Sequence, residues 1–268
     1  QNGVRGDALA AGVLGREAVV GGVVMCAASY LHPGEIAVDF AGWLILGEPF
    51  RASRERARAL ARVLAPALPT YVTAHLERAR WSKLIANLNN GICAATGLPL
   101  PLVAQAPLGR ALAVRVMREG YRVARSAGVR LDHGLYGLSP RALRQDRNAA
   151  LVALLQSTMT RLLAILPDRP AERVLALASR SRLGRLPVRG STWQSIARGR
   201  PSESEYLNGE IVRRGGELGV PTPYNARLMA VLREVERTGE FQPLDALAPP
   251  TIAQAARVGP MGPMGGAA

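Results

Sequence analysis

Apolar and polar positions change their rhythm part-way along the chain. Through the first 75 residues short strand signals alternate with helical ones. Asp7–Leu14 has the spacing of a short helix. The uncharged run Ala18–Ala28 is far shorter than the roughly 20 residues a membrane-spanning helix needs. Being dense in Val, with Gly21, Gly22 and Pro33 around it, Val19–Ala28 predicts a buried strand. Glu35–Phe40 and Trp43–Leu46 predict two shorter strands. Ala57, Leu60, Ala61 and Leu64 mark one face of a helix, and Pro69–Thr73 predicts a further strand.

From about residue 76 the period becomes helical throughout. It runs over 77–96, 107–127, 139–165, 191–198, 203–217 and 224–238, punctuated by Gly128, Gly137, Gly190, Gly219 and Pro223. The pattern therefore predicts an α/β N-terminal part over 1–75 and an all-helical C-terminal domain over 76–240. A tail over 241–268, ending Gly-Pro-Met-Gly-Pro-Met-Gly-Gly, is expected to be disordered. Within the helical region, Pro201-Ser202-Glu203-Ser204-Glu205 has the form of a capping box. Ser202 is the predicted cap and Glu205 closes the box, which leaves Glu203 free for another role.

Composition narrows the function. The net charge is +14, but the 33 arginines are spread along helices, without the basic stripe and reading motif of a nucleic-acid binder. Such a field attracts anions, carboxylates and phosphates among them. Cys26 and Cys93 form no CxxC pair, and His32, His75 and His133 are scattered, so a metal site is not expected. The two thiols fit a reduced, cytoplasmic protein. Neither a membrane span nor a leader is expected. An opening on Gln1-Asn2-Gly3, without methionine and in a turn-like pair, is expected of a partial sequence.

The most informative segment is Trp81-Ser82-Lys83-Leu84-Ile85-Ala86-Asn87-Leu88-Asn89-Asn90-Gly91-Ile92. At about 100° per residue, Lys83, Asn87 and Asn90 fall within an arc of about 60°, and Leu84, Leu88, Ile92 and Ala95 lie opposite. Such a stripe is either a solvated face or a surface that recognises carboxylate, carbonyl and hydroxyl groups. Lys83 is the only lysine in a chain that otherwise uses arginine for every cation. An ammonium, with a reference pKa of about 10.4, can be tuned to give up a proton, whereas arginine holds its own above about 12. Arginine would serve as a charge here but poorly as a general acid.

Three blocks together resemble the ketopantoate reductase (2-dehydropantoate 2-reductase) family: Gln1-Asn2-Gly3, Trp81-x-Lys83-Leu84-x-x-Asn87, and Ser191 through Gly209 followed by Gly219-Val220-Pro221-Thr222-Pro223-x-Asn225. The resemblance spans about residues 1–238. It implies that 1–75 is the later part of a Rossmann-like NADP-binding domain and that the helical domain closes over the substrate. The implied reaction is NADPH-dependent reduction of ketopantoate to pantoate, in pantothenate and coenzyme A biosynthesis. By the same matching Lys83 is the proton donor, and Asn2, Asn87 and Ser191 bind substrate. Asn2, Ala28 and Glu203 contact NADP(H), and a homodimer is compatible with the family.

The chain also departs from the family pattern. The second family Asn, eight residues after the lysine, is replaced by Gly91, with Asn90 one place earlier as a substitute. A further family Asn falls at Pro101. No G-x-G-x-x-G is present, since Arg214-Gly215-Gly216-Glu217-Leu218-Gly219 has the wrong spacing. The turn that would cradle a dinucleotide pyrophosphate is expected upstream of Gln1. Two other readings stay open: an Arg-rich helical module binding an anionic partner, and a truncated, inactive relative.

Overall fold

The computed structural model describes residues 2–30, 32–40, 42–131, 158, 162, 165–180 and 190–249. Helix α1 (Gly6–Leu14) leads into the strands. The apolar run after Val19 does not stay one strand, because its two halves find different partners. β1 (Gly21–Val24) pairs antiparallel with β4 (Leu44–Gly47). Beyond Met25-Cys26, β2 (Ala27–Ser29) forms a separate hairpin with β3 (Ala37–Phe40).

β4 is the central strand. Helix α2 (Glu55–Leu64) crosses over to β5 (Thr70–Val72), which pairs parallel to β4 and gives the order β1-β4-β5. Neighbouring side chains on β4 point to opposite faces. Ile45 packs with Val23, Trp43, Leu76 and Ala79, while Leu46 packs with Ala57 and Ala61 of α2. The α/β beginning is as the pattern predicted.

Helix α3 (Leu76–Asn87) belongs to both layers. Leu76 and Ala79 join the sheet cluster, and Trp81, Leu84 and Ile85 join the larger helical core. Lys83 is therefore carried on the helix that bridges the two. The helix expected over 77–96 is interrupted at Leu88, after which α4 (Asn89–Thr96) continues. Bonds from Leu88 N–H to the Ile85 carbonyl (3.3 Å) and from Gly91 N–H to the Leu88 carbonyl (3.2 Å) tighten the chain there to a 3₁₀-like turn.

The helical part continues through α5 (Leu100–Gln105), α6 (Pro107–Ser126), α7 (Asp168–Ser179), α8 (Ser191–Ala197), α9 (Asn208–Leu218) and α10 (Pro223–Thr238). Helices α5 and α7 were not predicted; α7 fully buries only Ala171 and Ser179, too little for a readable stripe. The helix expected over 139–165 lies largely outside the described residues, and so does His133. Gly219 ends α9 in the left-handed conformation (φ 65°), the helix stop its position implied.

A buried polar cluster ties α4, α6, α9 and α10 together. Glu119 of α6 accepts hydrogen bonds from the backbone N–H groups of Tyr224 and Asn225, both at 2.9 Å, and caps α10 from a neighbouring helix. The Asn225 side-chain amide donates to Glu119 (2.7 Å) and to the Val116 carbonyl (3.1 Å). Asn208 donates to Asn225 Oδ1 (2.9 Å) and to the Leu88 carbonyl (3.2 Å), at the break between α3 and α4.

Two expectations are corrected. The capping box does not close: Glu205 pairs with Arg233 (2.9 Å), and Ser202 both accepts from Ser204 N–H and donates to Glu236. The exposed Glu205 carboxylate finds a guanidinium across the surface instead of a backbone N–H beside it. Of the tail expected to be disordered over 241–268, residues 241–249 are instead anchored, and 250–268 lie outside the described residues. Gln242 N–H reaches the Ala95 carbonyl (2.8 Å), Arg227 donates to the Ala246 carbonyl (2.8 Å), and Leu247 is buried in a 3₁₀ turn, Leu244–Leu247. These contacts offset the entropy that the composition alone would leave dominant.

Candidate functional site

Lys83 lies where α3, the end of β1 and the segment before α9 meet. Its Nζ donates to the Val24 carbonyl at 2.5 Å. Burial pushes the ammonium below its ordinary value, and Arg80, on the same helix, pushes in the same direction. Glu203 and Cys26 act against both. An amine held part-way out of water gives up a proton more readily than a surface lysine, and the carboxylate limits that effect without cancelling it.

A chain of side-chain hydrogen bonds runs alongside. Asn87 donates to Asn2 Oδ1 (3.3 Å), and the Asn2 amide donates to Glu203 Oε2 (2.6 Å). These three residues come from α3, the start of the chain and the turn before α9. Glu203 Oε1 has no hydrogen-bond partner among the described residues. Gly3 makes the approach of Asn2 feasible: its φ is 77°, and a Cβ there would sit 2.8 Å from the Tyr206 carbonyl. Arg5 secures the same segment, over the Tyr206 ring at 4.9 Å and paired with the buried Glu210 at 3.0 Å.

Four of the residues singled out from the sequence, Lys83, Asn87, Asn2 and Glu203, are thus brought together. Ser191 stands at the start of α8, which packs on α4, and no hydrogen bond links it to Lys83 or Asn87 among the described residues. Asn90 lies against that same helix start: a Cβ on Gly190 would fall 2.7 Å from either polar atom of the Asn90 amide. Asn90 therefore faces the Ser191 side of the site. Ala28 is exposed on the β2–β3 hairpin, opposite Val38, and takes no part in the hydrogen-bond chain. Pro101, in the first turn of α5, offers no hydrogen-bonding side chain.

Gly91 has a structural explanation. It faces the core, and a Cβ there would lie 2.6 Å from Asn208 Oδ1 and 3.1 Å from Leu228 Cδ2. An asparagine at 91 has no room, because Asn208 occupies the space.

Sequence reasoning missed the Val24 carbonyl, a backbone group with no residue-type signal. It also missed the pair Arg80–Asp7, in which Nε donates to Oδ2 at 2.7 Å and Nη2 to Oδ1. A cation three residues before the lysine was the available clue.

For a nicotinamide dinucleotide, the groups on hand are the Asn2 amide, already bonded to Asn87 and Glu203, and the second carboxylate oxygen of Glu203, an acceptor of the kind such a cofactor's amide needs. Among the described residues no glycine-rich phosphate turn accompanies them. Gly215 is wedged against Thr222 and the Val220 carbonyl, where a Cβ would come within 2.7 Å of each. Among the described residues no group of three or more His, Cys, Asp or Glu side chains could hold a metal ion, and no helix is long and apolar enough to cross a membrane.

An ammonium with two amides and a carboxylate close by has the groups needed to bind an oxygen-rich small molecule and give it a proton. The family profile described as the ketopantoate reductase PanE/ApbA C-terminal domain matches residues 75–236. That is more than half of the 268 residues, and the chain belongs to the ketopantoate reductase family.

The chain is 26% identical over 162 residues to the 2-dehydropantoate 2-reductase of Pyrobaculum aerophilum, an overlap of 60% of this chain and 44% of that protein. The solved PanE/ApbA family ketopantoate reductase of Ralstonia eutropha JMP134 is 29% identical with a TM-score of 0.62, covering 88% of this chain and 65% of that one. The fold alone is shared with D-mandelate dehydrogenase, solved with NADH and anilino(oxo)acetate. There the identity is 19% and the TM-score 0.66, over 88% of this chain and 66% of that one. The chain thus spans less than half the length of the first of these relatives and about two thirds of the solved chains.

Proposed function

We propose that this chain carries the proton-donating and substrate-binding part of an NADPH-dependent reductase that converts ketopantoate to pantoate, in the cytoplasmic synthesis of pantothenate and coenzyme A. The observation that carries the reading is the half-buried Lys83 ammonium, aimed by the Val24 carbonyl and set beside the Asn87–Asn2–Glu203 chain. The nicotinamide dinucleotide, when bound, supplies the hydride.

As the substrate carbonyl takes on negative charge, Lys83 Nζ gives a proton to its oxygen, and the amine left behind is reprotonated from solvent. Burial of Lys83 assists the transfer, and Glu203 keeps the ammonium charged until it is needed. Asn87 donates to a substrate oxygen, exchanging its 3.3 Å bond with Asn2 for a substrate contact. Ser191, with Asn90 beside it, holds the carboxylate at the start of α8.

Steady-state oxidation of NADPH by the full-length protein with ketopantoate tests the proposal. Turnover with ketopantoate above that with other 2-keto acids is expected. Turnover with another 2-keto acid alone would remove the substrate assignment, and no turnover with any would remove the reductase reading.

A further inference from the structure

Arg80 and Asp7 are not part of the site described above, yet they are built as carefully. Arg80 is 4% exposed, and its guanidinium forks onto Asp7, the second residue of α1. The space for the pair is kept open by Gly21, the first residue of β1. A Cβ there would lie 2.7 and 2.9 Å from the two Asp7 oxygens and would also collide with Leu76. The remaining nitrogen, Arg80 Nη1, is buried without a partner among the described residues. Burying a guanidinium with one partner missing is costly, so a surface role does not account for it.

The pair joins three of the elements that supply the site. Asn2 leads into α1, Val24 ends β1, and Lys83 and Asn87 ride on α3. Arg80 is three residues before Lys83, a spacing that puts the two side chains on the same side of the helix. The groups that act on Lys83 are Glu203 from the turn before α9, Cys26 after β1, and Arg80 from α3 itself, the one cation among them.

We propose that Arg80, clamped by Asp7, is a positioning residue for Lys83: it sets the distance between α1, β1 and α3, and it holds a second cation one turn away that makes the ammonium a readier proton donor. The inference rests on the reading of Lys83 as the acid. Its test does not depend on turnover, so the two can fail separately.

Lys83 is the only lysine among these 268 residues, so the peptide that carries it reports on a single side-chain amine. The full-length protein is acylated briefly with an amine-reactive ester over a series of pH values. The extent of labelling on the peptide containing Lys83 gives the titration midpoint. Arg80→Met should raise that midpoint by about half a unit to one unit, as expected for removing a like charge at this range in a partly screened setting.

Asp7→Asn should lower it, by less, because it removes only the more distant negative charge. Both variants break the same ion pair, so a purely structural role would move the midpoint the same way in each. Opposite shifts support the proposal; shifts of the same sign, or no shift in Arg80→Met, overturn it. Should either single variant fail to fold, the double variant Asp7→Asn/Arg80→Met leaves no buried charge at the pair and decides alone. A midpoint above wild type supports the proposal, and one at or below wild type overturns it.

Discussion

Gly91→Asn restores the residue that the family pattern has eight places after the lysine, and the structure forecasts damage from it. The new Cβ alone would lie 2.6 Å from Asn208 Oδ1 and 3.1 Å from Leu228 Cδ2. Asn208 is fully buried, and its amide bridges the Leu88 carbonyl and Asn225, so it has nowhere to retreat without breaking a bond. Overpacking of this kind costs about 1–3 kcal/mol. Loss of one buried hydrogen bond adds about 1–3 kcal/mol. Replacing a helical glycine returns only a few tenths of a kcal/mol.

The expected net loss is about 2–5 kcal/mol, read by urea denaturation followed by the fluorescence of the three tryptophans, of which Trp81 lies in the helical core. Asn208→Gly in the same background should recover part of it, since it removes the obstructing amide, and a double-mutant cycle reads the coupling. A Gly91→Asn protein within about 0.5 kcal/mol of wild type, on the same scale of mutational cost, would refute the steric account. So would one that binds 2-keto acids more tightly.

Three further outcomes follow from the same structure. Burial holds the Glu119 carboxyl above its ordinary 4.5, against the N–H donors of Tyr224 and Asn225 that pull it down. The native state therefore keeps this proton longer than the unfolded chain does. The stability it confers is full below 4.5 and is lost as pH rises through the folded-state value. Glu119→Gln should cost about 1–3 kcal/mol at the acid end, with the gap to wild type narrowing as pH rises in denaturant titrations; a widening gap would contradict this.

Gly190→Ala should displace the Asn90 amide. In steady-state kinetics of the full-length protein this should raise KM for the keto acid more than it changes kcat, and an unchanged KM would separate Asn90 from the substrate. Cys93 is fully buried with its thiol pushed up to about 12, so under native conditions alkylation at pH 8 should mark Cys26 and spare Cys93. Rapid labelling of Cys93 would show that the helical core opens.

The sequence disclosed those parts of the fold that depend on periodic burial. Ala57 and Ala61, or Leu84, Leu88 and Ile92, repeat at helical spacing because one side of each helix is dry. It could not disclose the split of Val19–Ala28 into two strands, which depends on the partner each half meets. Nor could it disclose α7, whose buried face is only two residues wide.

Lys83 and Asn87 were legible in the site because they share a helix face. Asn2 and Glu203 lie 201 residues apart, and although the Ser-Glu pattern set Glu203 aside from Glu205, only a family resemblance brought the two together. Asn90 shares the predicted stripe, but what it meets, the backbone at Gly190, lies 100 residues further on and carries no side chain to signal the contact. The acceptor at Val24 is a main-chain carbonyl, a group every residue carries, so no pattern of side chains could mark it.

The claim at the centre of this account is that Lys83 acts as an acid and not merely as a charge. Lys83→Arg in the full-length protein, assayed for NADPH oxidation with ketopantoate, separates the two. The account predicts a fall in kcat of about 10²–10⁴-fold with KM little altered, as loss of a general acid requires. A Lys83→Arg enzyme that keeps kcat within about threefold of wild type, a loss of under about 0.7 kcal/mol in the barrier, would contradict it.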